Sequence, residues 1–325
     1  MDPYDPDMIN MVDDSRHEHA SFYEKNMAQH LQDHDIYMHG RPNAPQPANI
    51  GVIRHQLRER RDSLENNGFT QAHFQTFRAA ANATTGHTVV DAVIPVIAGN
   101  TLATGGGPMM ETRMVFHNLD AITGLDRHAL PVILAAPCGF DGVARADLDD
   151  DVQTALDALI APLVPINNWI IPNFVLDGMG TADSTPLLEK QRATYHGALA
   201  ARSMHAMHSY GRAAPHFDDC AYAFSATYLH LPKLLTIYAH HVTPTGAGGR
   251  PAYHMTRVGV YPVGRNRTEF LAGAAAFRNA REMAGRWRDE AVERANLLPA
   301  GAPVTVPALA PADGNAVPAP AQAGN

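Results

Sequence analysis

Residues 171–180 read IPNFVLDGMG, residues 181–188 read TADSTPLL, and residues 189–211 read EKQRATYHGALAARSMHAMHSYG. Ile170–Asp177 is a short apolar run, as expected for a strand buried on both faces. Thr185 followed by Pro186 predicts a helix start, because proline at the first helical position loses no hydrogen bond. That helix is expected to run to Tyr210 and to stop at Gly211. A strand, a turn and a long helix thus occupy the middle of the chain.

Working outward, Ala221–Tyr228, Leu234–Val242 and Tyr253–Tyr261 read as strands. Thr268 is placed to cap a final amphipathic helix reaching about Asn296. Upstream, Ile50, Ile53 and Leu57 predict a helix over 49–62. Thr70 could cap a second helix that buries Phe74 and Phe77. Val89, Val90, Val93, Ile94 and Ile97 predict a third helix ending at Gly99. Met114–Leu119 and Pro131–Pro137 read as strands. Residues 148–159 read as a helix whose early acidic residues suit the helix dipole. Strands crowd the centre and helices come from both ends of the chain, which implies an α/β fold: a mixed central sheet flanked by helices.

The chain has 325 residues, 45% hydrophobic and 18% charged, as in ordinary globular proteins. The net charge of -8 argues against a sequence-independent grip on nucleic acid through overall charge. With two cysteines, Cys138 and Cys220, neither a disulfide framework nor a Cys-rich zinc module is implied. Residues 1–45 are acidic and His-rich without steady periodicity, and are expected to be largely disordered. Their start carries no apolar core of a secretory signal. Residues 297–325 are Ala/Pro-rich and are expected to form a disordered tail. A single domain over 46–296 remains. No apolar run is long enough for a membrane span. An intracellular protein of cytoplasm or nucleus, not secreted, is the expectation.

Asp141 in CGFDG and Asp177 in VLDGMG both follow apolar runs. Two carboxylates at adjacent strand ends can hold Mg2+, which prefers oxygen ligands. Each is also followed by glycine, so each reads equally as a turn residue. On the helix, Gln191, Tyr195, Ala198, Arg202 and His205 recur at spacings of three and four and share one stripe. That stripe either lines a cleft at the strand end of Asp177, or pairs with nearby loops or faces solvent. There are 18 histidines, with His17, His19, His30, His34 and His39 near the start. No pair shows zinc spacing with a matching second pair, so solvated or core histidines are expected. His240 and His241 should point to opposite faces of a strand. The glycine-rich runs 99–108 and 245–251 lack the Gly-Lys-Ser/Thr of a phosphate loop. Arg278, Arg281, Arg286 and Arg288 are interleaved with acids and read as a solvated face of the last helix. Phe277 and Trp287 are expected in the core.

The segments FTQAHFQTFRAAA, VVDAVIPVIAGN, FDGVA, PNFVLDGMG, CAYAFSATY, YAHHVTPTGAGGRPAYHMT and AAAFRNARE, together with the long helix, carry a resemblance. The chain resembles a fungal family of unknown function that is similar to the PD-(D/E)XK nuclease superfamily. The resemblance covers about residues 35–296 and implies a restriction-endonuclease-like fold. The family's Pro-Asp-Phe-Phe-Asp-Gly falls on Pro137–Gly142, with Cys138 in place of the first aspartate and Asp141 kept. Its Glu-x-Lys-Gly falls on Asp177–Gly180, with the acid shortened and Met179 in place of the lysine. Gln191, Tyr195, Arg202 and His205 match its helix motif.

The resemblance implies residual catalytic and metal positions at Asp141 and Asp177, with Gln191 beside them, and binding positions at Tyr195, Arg202 and His205. In metal-dependent phosphodiester hydrolysis the ion polarises the phosphate and generates hydroxide, and a neighbouring lysine stabilises charge. Met179 does neither. The expectation is a catalytically inactive nuclease-like protein that binds nucleic acid or a protein partner. The alternatives are an active Mg2+-dependent nuclease, with Arg202 or Lys190 recruited, and a structural protein whose cleft is filled.

Overall fold

The computed structural model describes residues 27–65, 68–83, 88–99, 137–162, 168–179, 185–245 and 249–305. The predicted strands over 114–119 and 131–137 lie outside these residues, apart from Pro137. So do most of the glycine run 99–108, the centre of the run 245–251, and the tail beyond 305.

Six strands form one sheet: β1 (Ile36–Tyr37), β2 (Gly139–Ala144), β3 (Trp169–Met179), β4 (Ala221–Leu229), β5 (Leu234–Thr245) and β6 (Arg250–Tyr261). Their order across the sheet is β1-β6-β5-β4-β3-β2. The β1/β6 and β3/β4 pairs are parallel, and the other three are antiparallel. The helices are α1 (Met27–Asp33), α2 (Ile50–Leu57), α3 (Asp62–Glu65), α4 (Gln71–Ala83), α5 (Thr88–Ala98), α6 (Asp150–Ile160), α7 (Pro186–Ser209) and α8 (Arg267–Asn296). The α/β class and the mixed sheet between helices are therefore present.

Parallel neighbours need a crossover, and α7 supplies it between β3 and β4. Its start is set locally. The Thr185 hydroxyl accepts a hydrogen bond from the Leu188 backbone N–H at 3.1 Å, and Pro186 follows. Such a cap is worth about 1 kcal/mol. Gly211, at φ +77°, closes the end, where a side chain would be strained. Between these points almost every side chain of α7 is buried. A helix buried on all sides belongs to a central layer. Gly197 makes the close approach possible, since a Cβ there would lie 2.0 Å from Cε1 of His240.

One face of the sheet packs on α7, through Phe140, Val175 and Ala223 against Tyr195, Ala198 and Leu199. The other packs on α8, α2, α4 and α5, through Phe174, Leu176, Phe224 and Ile237 against Phe270, Phe277, Phe74, Phe77 and Ile53. Phe277 meets Phe174 edge-on at 5.2 Å, and Trp287 stacks on Phe224 at 5.7 Å.

Several boundaries move. The helix predicted over 49–62 ends at Leu57 and resumes as α3. The cap of α8 is Asn266, whose side chain accepts from the Glu269 N–H at 2.9 Å, rather than Thr268. Order begins before residue 46: Met27, Leu31 and Ile36 are fully buried against α7, and β1 pairs with β6. Asp141 lies inside a strand rather than in a turn.

Candidate functional site

The antiparallel ladder of β2 and β3 sets Asp141 opposite Phe174 and Phe140 opposite Val175. Paired residues share a face, and successive residues alternate. Asp141 therefore faces α8, on the side of Phe174 and Phe277. Asp177, two residues beyond Val175, faces α7. The carboxylates expected to share one ion point to opposite sides of the sheet.

Each has an internal partner. Asp141, 3% exposed, accepts from Arg281 Nε at 2.6 Å and Nη2 at 2.8 Å. Burial pushes its carboxyl up, and the Arg281 guanidinium pulls it back. Asp177, 2% exposed, places Oδ1 2.7 Å from Nδ1 of His196 on α7. Its Oδ2 has no partner among the described residues. Asp177 stands beside Thr227 of β4, whose own neighbour on β5 is Thr236. Met179 ends β3, in register with Leu229.

The predicted helical stripe is buried, but it does not converge on Asp177. Gln191 is fully buried, and neither end of its amide finds a partner among the described residues. Tyr195 lies in the apolar cluster with Leu31, Phe140 and Val175. Arg202 sits near Tyr253 of β6; burial pushes that phenol up to about 12 and the Arg202 charge opposes it. The His205 ring packs at a tilt against Phe217, with centroids 4.7 Å apart. It lines a small pocket with His208, His216, Asp218 and Cys220. Burial, reinforced by His216, pushes the His205 imidazole down to about 4. His208 is likewise lowered by burial to about 4. Among the described residues, no group of three or more His, Cys, Asp or Glu is arranged to hold a metal ion.

Sequence reasoning missed the partners that matter. His196 holds Asp177 and carried no signal beyond its place beside Tyr195. Arg281 and Arg288, expected on a solvated face, are 7% and 3% exposed. Arg288 donates from Nη1 to Asn173 Oδ1 at 2.8 Å, and Asn173 Nδ2 donates to the Ala284 carbonyl at 2.6 Å. The signal was available: Phe277, Arg281, Ala284 and Arg288 fall at spacings of four, three and four, on one helical stripe. His240 and His241 diverge as expected. His240 Nε2 meets the Ser225 hydroxyl at 2.7 Å under α7, while His241 stacks on His254 at 5.0 Å. Burial lowers all three imidazoles, His240 to about 3 and His241 and His254 to about 4.

No helix among the described residues is long and apolar enough to cross a membrane. No family model, curated protein or solved structure matches the chain.

Proposed function

We propose that this chain is a PD-(D/E)XK-like scaffold that has lost its hydrolytic centre and acts by binding nucleic acid or a protein partner. One observation supports it above the rest: Asp141 and Asp177 face opposite sides of the sheet, each tied to a basic side chain. A metal-dependent hydrolase holds its ion between carboxylates that converge on one point. Continuing the β2/β3 ladder by one residue sets Cys138 opposite Asp177. Cys138 is the position where the resembling family has its first aspartate. The missing acid is thus the one on the Asp177 face, and Met179 brings no charge to replace the lysine.

The burial of Asp177 and Gln191 favours a second reading, a structural or interaction protein with a filled cleft. An active Mg2+-dependent nuclease is the third. It would need Lys190 or Arg202 at Asp177, whereas the group holding Asp177 is His196.

The test is a Mg2+/Mn2+ cleavage assay on single- and double-stranded DNA and RNA. It compares the natural chain with Cys138→Asp/Met179→Lys, and with Asp177→Ala as control. The expected result is no cleavage by the natural chain and cleavage by the double variant. Cleavage by the natural chain that is lost in Asp177→Ala would overturn the proposal in favour of a rewired nuclease. Silence from every variant would move the reading to the filled cleft.

A further inference from the structure

We propose that His39, Lys190 and Arg257 form a binding site for a phosphate oxyanion, at the start of α7 and beside the β1 edge of the sheet. The inference does not rest on the nuclease-like reading.

Three elements bring the three groups together. The backbone N–H of Arg257, on β6, donates to Nδ1 of His39 at 3.3 Å. With Nδ1 accepting, the neutral ring carries its proton on Nε2, which remains a donor. The turn after β1 lies over Lys190 of α7: a Cβ built on Gly40 would stand 3.8 Å from the Lys190 ammonium. Arg257 pairs with Tyr238 across the β5/β6 ladder, and Tyr238 packs with Ala193 of α7, so Arg257 shares the α7 side of the sheet. It is exposed, while Lys190 and His39 are half-buried.

The acid nearest the cluster is Glu189, whose charge acts on Tyr238 together with that of Arg257. Among the described residues no carboxylate forms an ion pair with Lys190 or Arg257, in a chain of net charge -8. The nearest acid along the helix, Glu189, has its carboxylate 3.8 Å from Arg192 Nη1. Burial lowers both the His39 imidazole and the Lys190 ammonium. The Arg257 charge adds to this in each case, and Lys190 adds to it at His39. Bringing like charges together in half-buried surroundings is unfavourable, and an anion between them relieves it.

The donor set favours phosphate. A planar guanidinium, an ammonium and an imidazole N–H are carried by β6, α7 and the turn after β1. A tetrahedral oxyanion can accept from all three, whereas a carboxylate has two oxygens in one plane. A phosphodiester in a nucleic-acid backbone and free phosphate share this chemistry.

The experiment titrates the full chain with inorganic phosphate and, separately, with pentathymidylate. Binding is followed by calorimetry and by the NMR signal of the His39 ring. Phosphate is expected to raise the His39 pKa. Lys190→Gln and Arg257→Gln are each expected to weaken binding by about tenfold, as for loss of one charge-assisted hydrogen bond. Arg265→Gln, at an exposed arginine outside the cluster, should leave binding unchanged. If Lys190→Gln lowers the melting temperature, the exposed Arg257→Gln decides. Pentathymidylate binding more tightly than phosphate, with a steep salt dependence, assigns the site to a nucleic-acid backbone; equal affinity assigns it to free phosphate. A His39 signal that does not move in either titration overturns the proposal. So does equal weakening by all three variants.

Discussion

Asp141 and Arg281 meet through two parallel hydrogen bonds, of 2.6 and 2.8 Å, with both side chains almost out of solvent. The pair ties edge strand β2 to the middle of α8. Removing one partner leaves the other charged and buried. Arg281→Met should therefore destabilise the fold by about 3–5 kcal/mol, whereas Asp141→Leu/Arg281→Met together should recover much of that loss. Urea unfolding of the single and double variants measures this. A double variant as unstable as the single one would contradict it.

Gly197→Ala gains helix propensity of about 1 kcal/mol, yet it should destabilise the fold. The new methyl would meet the His240 ring, which is 1% exposed and bonded to Ser225. Overpacking of this kind costs about 1–3 kcal/mol. Thermal melts should show a lower midpoint, partly restored by His240→Ala in the same chain. A midpoint that rises would mean that the ring swings aside freely.

Gln191→Met should raise stability by about 1–3 kcal/mol, because it removes a fully buried amide with no partner among the described residues. A methionine of similar shape fills the same space. A lower urea midpoint would instead reveal a partner for the amide, such as a bound water or ligand.

His196, Arg281 and Arg288, the partners that the sequence did not reveal, show where sequence reading reaches its limit. The ends of α7 were legible because Thr185, Pro186 and Gly211 act on their own backbone. β1 and β2 were not. The first is two residues long, and the second, Gly139–Ala144, has two glycines and an aspartate, so it looks like a turn. Thr268 is the cap the sequence suggests, whereas the side chain that accepts the Glu269 N–H belongs to Asn266, two residues earlier. Asp141 and Asp177 stand out in the sequence as carboxylates that follow apolar runs, but which face each takes depends on the register of β2 against β3. That register is a relation between two separate segments, Gly139–Ala144 and Trp169–Met179, and neither segment encodes it alone.

Acid should unfold this protein from an unusually high pH. His205, His208, His241 and His254 are lowered to about 4, and His240 to about 3, each chiefly by burial. In the unfolded chain each titrates near about 6.5. Between these values the unfolded state binds more protons. The stability that these groups contribute is therefore complete above about 6.5 and lost as pH falls toward about 4, at up to about 1.4 kcal/mol per pH unit for each histidine. Urea midpoints measured across that window should fall steeply, and His241→Leu should flatten the slope. A constant midpoint would contradict the neutral, buried state of these rings.

The short strand β1 has a consequence beyond its size. By pairing with Tyr253 and His254, β1 covers the middle of the outer border of a twelve-residue strand, where unpaired N–H and C=O groups would otherwise be offered. Such an open border is a template for pairing with another chain. The segment Met27–Tyr37 is thus expected to hinder self-association along that border. A chain starting at Arg41 should keep the central layers yet sediment as dimers or larger species.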